Sequence, residues 1–126
     1  MIYTPKMNNG KNIFVFGSNL AGVHGAGAAR DARLYWGAKV GIGVGLCGQS
    51  YALPTKDDCI VTLPLSEIGQ HVKKFLEFSK NHPDKKFLVT AVGCGLAGYK
   101  PEDIALFFFE APQNCILPDE FISCYE

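Results

Sequence analysis

The sequence predicts an α/β fold, a three-layer sandwich in which a mixed, mostly parallel sheet is flanked by helices. Short apolar segments alternate along the chain with segments of helical periodicity, an order that is typical of this fold class. Glycine-rich stretches follow or flank several of the predicted strands. The chain has 126 residues, the usual length of one domain, so we expect residues 1–126 to fold as a single unit.

The first predicted elements are a strand and a helix. NIFVF, residues 12–16, is β-branched and aromatic and lies between Gly10 and Gly17, which indicates a buried strand. From about residue 25 to residue 36, small residues and then larger apolar ones suit a helix, and Gly37 is placed to end it. The chain therefore begins with a strand, a glycine-rich turn and a helix.

The middle of the chain predicts a loop, a short strand and a second helix. Residues 41–48 contain four glycines and are predicted to form a loop that leads into a strand at YALP, residues 51–54. Further on, Ser66 is placed to cap an amphipathic helix. The positions that this helix turns inward are Ile68, Val72, Phe75, Leu76 and Ser79.

The last third of the chain repeats the order of strand, glycines and helix. KFLVTAV, residues 86–92, is predicted to be a buried strand and is followed by GCGLAGY, residues 93–99. Pro101 suits the first turn of a helix, because a proline there leaves no needed backbone donor missing. NCIL, residues 114–117, is the last predicted strand.

Composition excludes several classes of partner. Twelve basic residues balance twelve acidic ones, so no overall field attracts a nucleic acid or an anionic membrane. No apolar run is long enough to span a membrane, and the start of the chain lacks the apolar core of a signal peptide. The five cysteines are odd in number and show no CxxC spacing, which favours reduced thiols without disulfides or a metal. We expect a cytoplasmic protein with no cofactor and no membrane partner.

Three glycine-rich loops are candidates for binding an anion. They cover residues 17–27, 41–48 and 93–98, and in α/β folds ligands bind beyond the carboxyl ends of the strands. Glycines let backbone amides approach a phosphate, and a helix N-terminus adds further N–H donors. The alternative is that the glycines serve only tight turns and close packing. No GKS or GKT occurs and the spacing is not that of a dinucleotide-binding fingerprint.

Two motifs carry a resemblance to a known family. FVFGSNLAGVHGAGAA, residues 14–29, resembles the Asn-containing, Gly-rich first loop of macro domains. AVGCGLAGYKPEDIA, residues 91–105, is similar to the second loop and following helix in the macro branch that includes DNA ADP-ribosyl glycohydrolases. GQSYALPTKD, residues 48–57, lies where macro domains carry a Gly-then-Leu-Pro stretch. The resemblance implies a macro-like fold that binds ADP-ribose or a related NAD-derived nucleotide.

The resemblance also implies which residues hold the diphosphate and the distal ribose. From the first loop these are Gly17, Ser18, Asn19, Gly25, Ala26 and Gly27. From the second they are Gly93, Cys94, Gly95, Leu96, Ala97 and Gly98. Asn19 occupies the position of the asparagine that contacts the distal ribose. Tyr99 is either an aromatic that packs on the ligand or a tyrosine of the core or rim.

Binding is favoured over hydrolysis. The glycohydrolases of this branch use a lysine and an aspartate, and on our alignment these positions hold Arg33 and Ala97. Arginine stays charged and is a poor nucleophile, and alanine supplies neither acid nor base. Many macro domains have an acidic residue after an early strand that binds the adenine amino group. Here no acidic residue precedes Asp31, so the nucleobase preference stays open.

Hydrolysis of an ADP-ribosyl or phospho-ribosyl bond is the alternative function. In it Asn19 positions the ribose or a water, and His24 or Asp31 acts as acid and base. The competing interpretation of His24 is a loop histidine that is merely solvated or bonded to the backbone. Cys94, close to a predicted helix N-terminus where a thiol pKa can fall, is favoured as a packing residue.

Other features fit a second alternative or the surface. FFFEAP, residues 107–112, is either a buried helix face or the apolar surface of a self-associating interaction module. Lys56 and Asp57 follow the YALPT segment and are either on the rim of the ligand cleft or ordinary surface charges. His71 and His82 lie on or after the amphipathic helix and are expected to have no chemical role.

Overall fold

A computed structural model describes residues 10–126 and confirms the α/β fold. Its strands are β1 (Asn12–Asn19), β2 (Gly45–Cys47), β3 (Ser50–Lys56), β4 (Lys86–Val89) and β5 (Cys115–Ile116). Its α-helices are α1 (Gly27–Tyr35), α2 (Leu65–Lys80), α3 (Pro101–Ile104) and α4 (Asp119–Ile122). Short 3₁₀ helices, Ala105–Phe108 and Ser123–Tyr125, continue α3 and α4.

The sheet is mixed and mostly parallel, with strand order β2-β3-β1-β4-β5. The central strand β1 pairs in parallel with β3 and β4, and β4 pairs in parallel with β5. Only β2, which pairs with β3, runs antiparallel among these strands. The carboxyl ends of β1, β3, β4 and β5 therefore lie along one edge of the sheet.

The alternating side chains of β1 build both halves of the core. Ile13 and Val15 belong to the cluster that includes the inward face of α2 and the segments after β4. Phe14 and Phe16 belong to a smaller cluster on the other face of the sheet. Trp36, at the end of α1, stacks on Phe14 with ring centroids 5.0 Å apart. Helices on both faces of one sheet give the three predicted layers.

Several predicted boundaries were wrong in the first half of the chain. Part of the predicted loop 41–48 forms β2, a strand of three residues that is too short to show a strand period in the sequence. The strand predicted at 51–54 runs from Ser50 to Lys56 because it pairs with β1 over its length. The first helix begins at Gly27, since Ala26 is still extended with φ −151°.

Boundaries also moved in the second half. Ser66 does not cap α2, because Pro64 is the N-cap and Ser66 lies within the first turn. The strand predicted at 86–92 ends at Val89, since the amide of Val92 turns back to the carbonyl of Thr90 at 2.7 Å. The last strand is shortened to two residues, Cys115–Ile116. Among residues 10–126, no helix combines the length and the apolarity needed to cross a bilayer.

Two backbone segments pack tightly beside the end of β1. The amide of Gly41 donates to the carbonyl of Gly22 at 2.9 Å, and the hydroxyl of Ser18 donates to the carbonyl of Gly43 at 2.6 Å. A Cβ on Gly43 would overlap the carbonyl oxygen of Asn19 and come within 3.0 Å of the Leu20 carbonyl carbon. The segment around residues 39–43 thus supports the first loop, and it does so only because glycine stands at this position.

Candidate functional site

A cleft of about 810 Å³ opens at the carboxyl ends of β1, β3 and β4. The first turn of α1, the segment that follows β4 and the start of α4 complete its walls. This is the edge at which α/β folds bind ligands. The cleft includes eleven of the residues predicted to contact a ligand: Gly17, Ser18, Asn19, Gly25, Ala26, Gly27, Gly93, Cys94, Gly95, Leu96 and Ala97.

Two predicted ligand-binding residues do not line the cleft. Gly98 has φ +91° and its amide donates to the carbonyl of Gly95 at 3.0 Å, so it forms the turn that closes the last loop. The hydroxyl of Tyr99 donates to the carbonyl of Leu63 at 2.8 Å, and its ring packs against the larger core cluster. This placement agrees with the interpretation of Tyr99 as a tyrosine of the core.

The proposed acid–base residues are also outside the cleft lining. His24 is 1% exposed, and its Nε2 lies 3.1 Å from the carbonyl oxygens of Lys39 and Ile42. Since carbonyls only accept, Nε2 carries the proton, and Nδ1 is left buried without a partner. Asp31 is half-buried on α1 and does not face the cleft. Because the ring of His24 is buried against the carbonyls of Lys39 and Ile42, it joins the first loop to the segment around residues 39–43.

Asn19 lies in the cleft with its amide engaged. Its Nδ2 donates to the carbonyl of Val23 at 2.7 Å, and its Oδ1 accepts from the amide of Val23 at 3.0 Å. Asn19 is 8% exposed. This pair of bonds closes the first loop on itself, and both Asn19 and Val23 line the cleft.

The N-terminus of α1 offers backbone donors to the cleft. No side chain caps this helix, and Gly27, Ala28 and Ala29 in its first turn line the cleft. The first amides of a helix have no partner within the helix and carry partial positive charge. This is the arrangement that binds phosphate groups.

Three hydroxyl groups line the cleft and donate away from it. Ser18 donates to Gly43, Thr55 donates to the carbonyl of Ser18 at 3.3 Å, and Thr90 donates to the carbonyl of Val15 at 2.7 Å. All three are buried. Their protons are therefore committed to the backbone, and their oxygens remain as acceptors.

Cys94 is a thiol at neutral pH. Burial, followed by the carboxylate of Glu120 and other negative groups nearby, raises its pKa to about 11. Its Sγ donates to the carbonyl of Val92 at 3.5 Å. An adjacent helix N-terminus lowers the pKa of a thiol, but burial and the neighbouring acidic groups raise the pKa of Cys94. Cys94 is therefore not an activated thiolate nucleophile.

The charged side chains that line the cleft are Lys56 and Glu120. Lys56 ends β3 and is half-buried, and Glu120 is exposed on α4. Arg33 points elsewhere, since its Nε donates to the carbonyl of His24 at 3.1 Å. The lysine that the structure brings to the cleft is therefore Lys56.

Sequence reasoning missed several members of the cleft. Thr55, Thr90, Ile60 and Glu120 line it but are not among the predicted ligand-binding residues, although Thr55 lies within the GQSYALPTKD stretch. A general signal did exist, because residues directly after predicted strands meet at one edge of a parallel sheet. Glu120 follows the predicted strand at 114–117 in this way.

The acidic turn beside the cleft has a structural role. Within residues 10–126, Asp57, Asp58 and Cys59 form the group of possible metal ligands that lie within 4.8 Å of one another. Oδ1 of Asp57 already accepts from the amides of Cys59 at 2.8 Å and Val61 at 3.0 Å. The carboxylate thus shapes the turn at residues 57–61.

Comparison with known proteins returned no match: no family model, no curated protein and no solved structure is significantly similar to this chain.

Proposed function

We propose that the protein binds ADP-ribose or a closely related NAD-derived nucleotide in the cleft, with the diphosphate held by the two glycine-rich loops. One observation carries the proposal. The first loop (residues 17–27) and the last loop (residues 93–98), which the sequence singled out for their glycines and their resemblance to macro domains, line the same cleft. They are about seventy residues apart in the chain, and the parallel pairing of β1 with β4 brings them together.

The size and lining of the cleft support a nucleotide-sized ligand. A volume of about 810 Å³ lies within the range of small-molecule sites, which are mostly apolar with a few polar groups that orient the ligand. Here glycine, alanine and valine supply most of the lining, and the polar groups are the hydroxyls, Asn19, Lys56 and Glu120.

Backbone amides are the main source of attraction for a diphosphate. The chain has no net charge, and Lys56 is the cationic side chain found among the lining residues. Anion binding by the first turn of α1 and by amides of glycine-rich turns needs no cluster of lysines. The proposal is therefore compatible with a neutral protein.

Isothermal titration calorimetry with ADP-ribose, ADP, NAD and cyclic ADP-ribose tests the proposal. We expect ADP-ribose to bind in the micromolar range and more tightly than ADP, because it fills more of the cleft. The absence of heat and of any stabilisation against thermal unfolding with all four ligands at millimolar concentration would contradict the proposal.

Hydrolysis of an ADP-ribosyl bond is a second candidate function, favoured by the position of Lys56. In this reaction the unprotonated amine of Lys56 bonds to the anomeric carbon of the distal ribose while the bond to the protein or nucleic-acid leaving group breaks and that group takes up a proton. Water then hydrolyses the lysine adduct and releases ADP-ribose. The carboxylate of Glu120 is the other charged group in the lining. In this candidate function Lys56 takes the role of the glycohydrolase lysine, whose position the resemblance assigned to Arg33.

Release of ADP-ribose from an ADP-ribosylated protein or oligonucleotide tests this candidate. We expect Lys56→Met to reduce turnover at least about 100-fold, as for loss of a nucleophile. Lys80→Met, which removes an exposed lysine at the end of α2, is the matched control and should leave turnover unchanged. Equal activity of Lys56→Met and the wild type would rule out this role, and no turnover by the wild type would leave binding as the function.

A further inference from the structure

Ile60 combines a strained backbone with a position in the cleft. Its φ is +63°, and among residues 10–126 it is the one non-glycine residue with positive φ. Left-handed backbone is unfavourable for a β-branched side chain, whereas glycine and asparagine adopt it readily. The side chain is 44% exposed and lines the cleft. Burial in the core therefore does not explain why isoleucine occupies this position.

The turn around Ile60 is built to hold this conformation. The amide of Ile60 donates to the carbonyl of Asp57 at 3.2 Å, and the amide of Asp57 donates to the carbonyl of Val61 at 2.8 Å. The carboxylate of Asp57 accepts two more amides of the same turn. Strain of this kind persists only where the surroundings determine it, and it is found most often at functional sites.

The turn is also fixed to the rest of the cleft. Lys56 and Thr62 pair as an isolated antiparallel bridge at its base. The hydroxyl of Thr62 donates to the carbonyl of Ala97 at 3.0 Å, which joins the turn to the last loop. The turn that carries Ile60 is thus joined to β3 at its base and to the last loop through Thr62.

The turn that carries Ile60 begins directly after Lys56, at the carboxyl end of β3 beside the end of β1. Asn19 is in register with Lys56 across β1 and β3, and the amide of Leu20 donates to the carbonyl of Lys56 at 3.0 Å. Val23 is 51% exposed and lines the cleft from the first loop. Two aliphatic side chains, Val23 and Ile60, therefore line the cleft together with Asn19, the residue to which the resemblance assigns the distal ribose.

We infer that Ile60 determines specificity by packing against the distal ribose of the bound nucleotide. The inference rests on the proposed function and adds a ligand contact to it. An aliphatic side chain pressed on the carbon face of a sugar removes apolar surface from water. Asparagine or glycine would relax the backbone, but neither would supply this surface.

Calorimetry on Ile60→Asn with ADP-ribose and with ADP tests the inference, because ADP has no distal ribose. We expect the affinity for ADP-ribose to fall roughly 5- to 30-fold and the affinity for ADP to stay the same. The urea midpoint of Ile60→Asn should equal or exceed that of the wild type, since asparagine tolerates positive φ. Ile60→Gly should show the same loss of affinity for ADP-ribose as Ile60→Asn and the same unchanged affinity for ADP.

Val61→Asn is the matched control, because Val61 is 59% exposed and does not line the cleft. It should bind both ligands like the wild type. Equal losses for ADP-ribose and ADP in Ile60→Asn, or no loss for either, would overturn the inference while leaving the proposed function intact. A wild type that binds neither ligand would instead overturn the proposed function and the inference with it.

Discussion

Replacing Gly95 by glutamate is expected to weaken the binding of ADP-ribose at least about 100-fold while leaving the fold intact. Gly95 lines the cleft in the last loop, has no positive φ, and has no atom within 4 Å of where a Cβ would lie. A carboxylate about 5 Å from a phosphate charge is repelled by about 3 kcal/mol at an effective dielectric constant of 20. This corresponds to an affinity at least about 100-fold lower, which calorimetry with ADP-ribose measures.

The control for this experiment is Gln70→Glu, which adds the same charge on the exposed face of α2. It should bind ADP-ribose like the wild type. Both variants should keep the wild-type urea midpoint, since neither disturbs packed atoms. If Gly95→Glu binds ADP-ribose as tightly as Gln70→Glu does, the last loop does not hold the diphosphate.

The largest effect on stability is expected for Gly43→Ala. The added Cβ would overlap the carbonyl oxygen of Asn19 and crowd the carbonyl group of Leu20. Because these are backbone atoms at the end of the central strand, no side chain can rotate away to make room. We expect the free energy of unfolding to fall by about 3 kcal/mol or more, the upper end for overpacking.

Urea unfolding of Gly43→Ala beside Gly25→Ala checks this prediction. Gly25 has no positive φ and no atom within 4 Å of its Cβ position, so Gly25→Ala should change the midpoint little. A Gly43→Ala variant as stable as Gly25→Ala would show that the segment at 39–43 does not pack against β1 as described.

Local patterns were sufficient to predict the layers of this fold. The β-branched and aromatic run at 12–16 predicted the central strand, and the spacing of Ile68, Val72 and Phe75 predicted the buried face of α2. They could not predict β2, because three residues among glycines become a strand only through pairing with β3. Three residues are too few to show the alternation of apolar and polar positions that marks a strand, even though the partner strand follows directly.

The candidate site was predicted in its backbone and less well in its side chains. Glycines mark close backbone approach wherever they occur in the chain, so both loops were recognisable. The orientation of a side chain depends on tertiary contacts, so the sequence left His24 open between an acid–base role and a bond to the backbone, and the structure places its Nε2 3.1 Å from the carbonyl oxygens of Lys39 and Ile42. The shift in the Cys94 pKa likewise depends first on burial and then on Glu120, 26 positions away in the chain.

The hydroxyl groups that donate away from the cleft have a consequence for the orientation of a ligand. Ser18, Thr55 and Thr90 donate to the backbone and so present only oxygen lone pairs, whereas the start of α1 presents only N–H groups. At these three hydroxyl groups the cleft can thus only accept hydrogen bonds, and at the first turn of α1 it can only donate them. A molecule with sugar hydroxyls at one position and phosphate oxygens at another satisfies both parts in a single direction, and reversing it would set oxygen against oxygen.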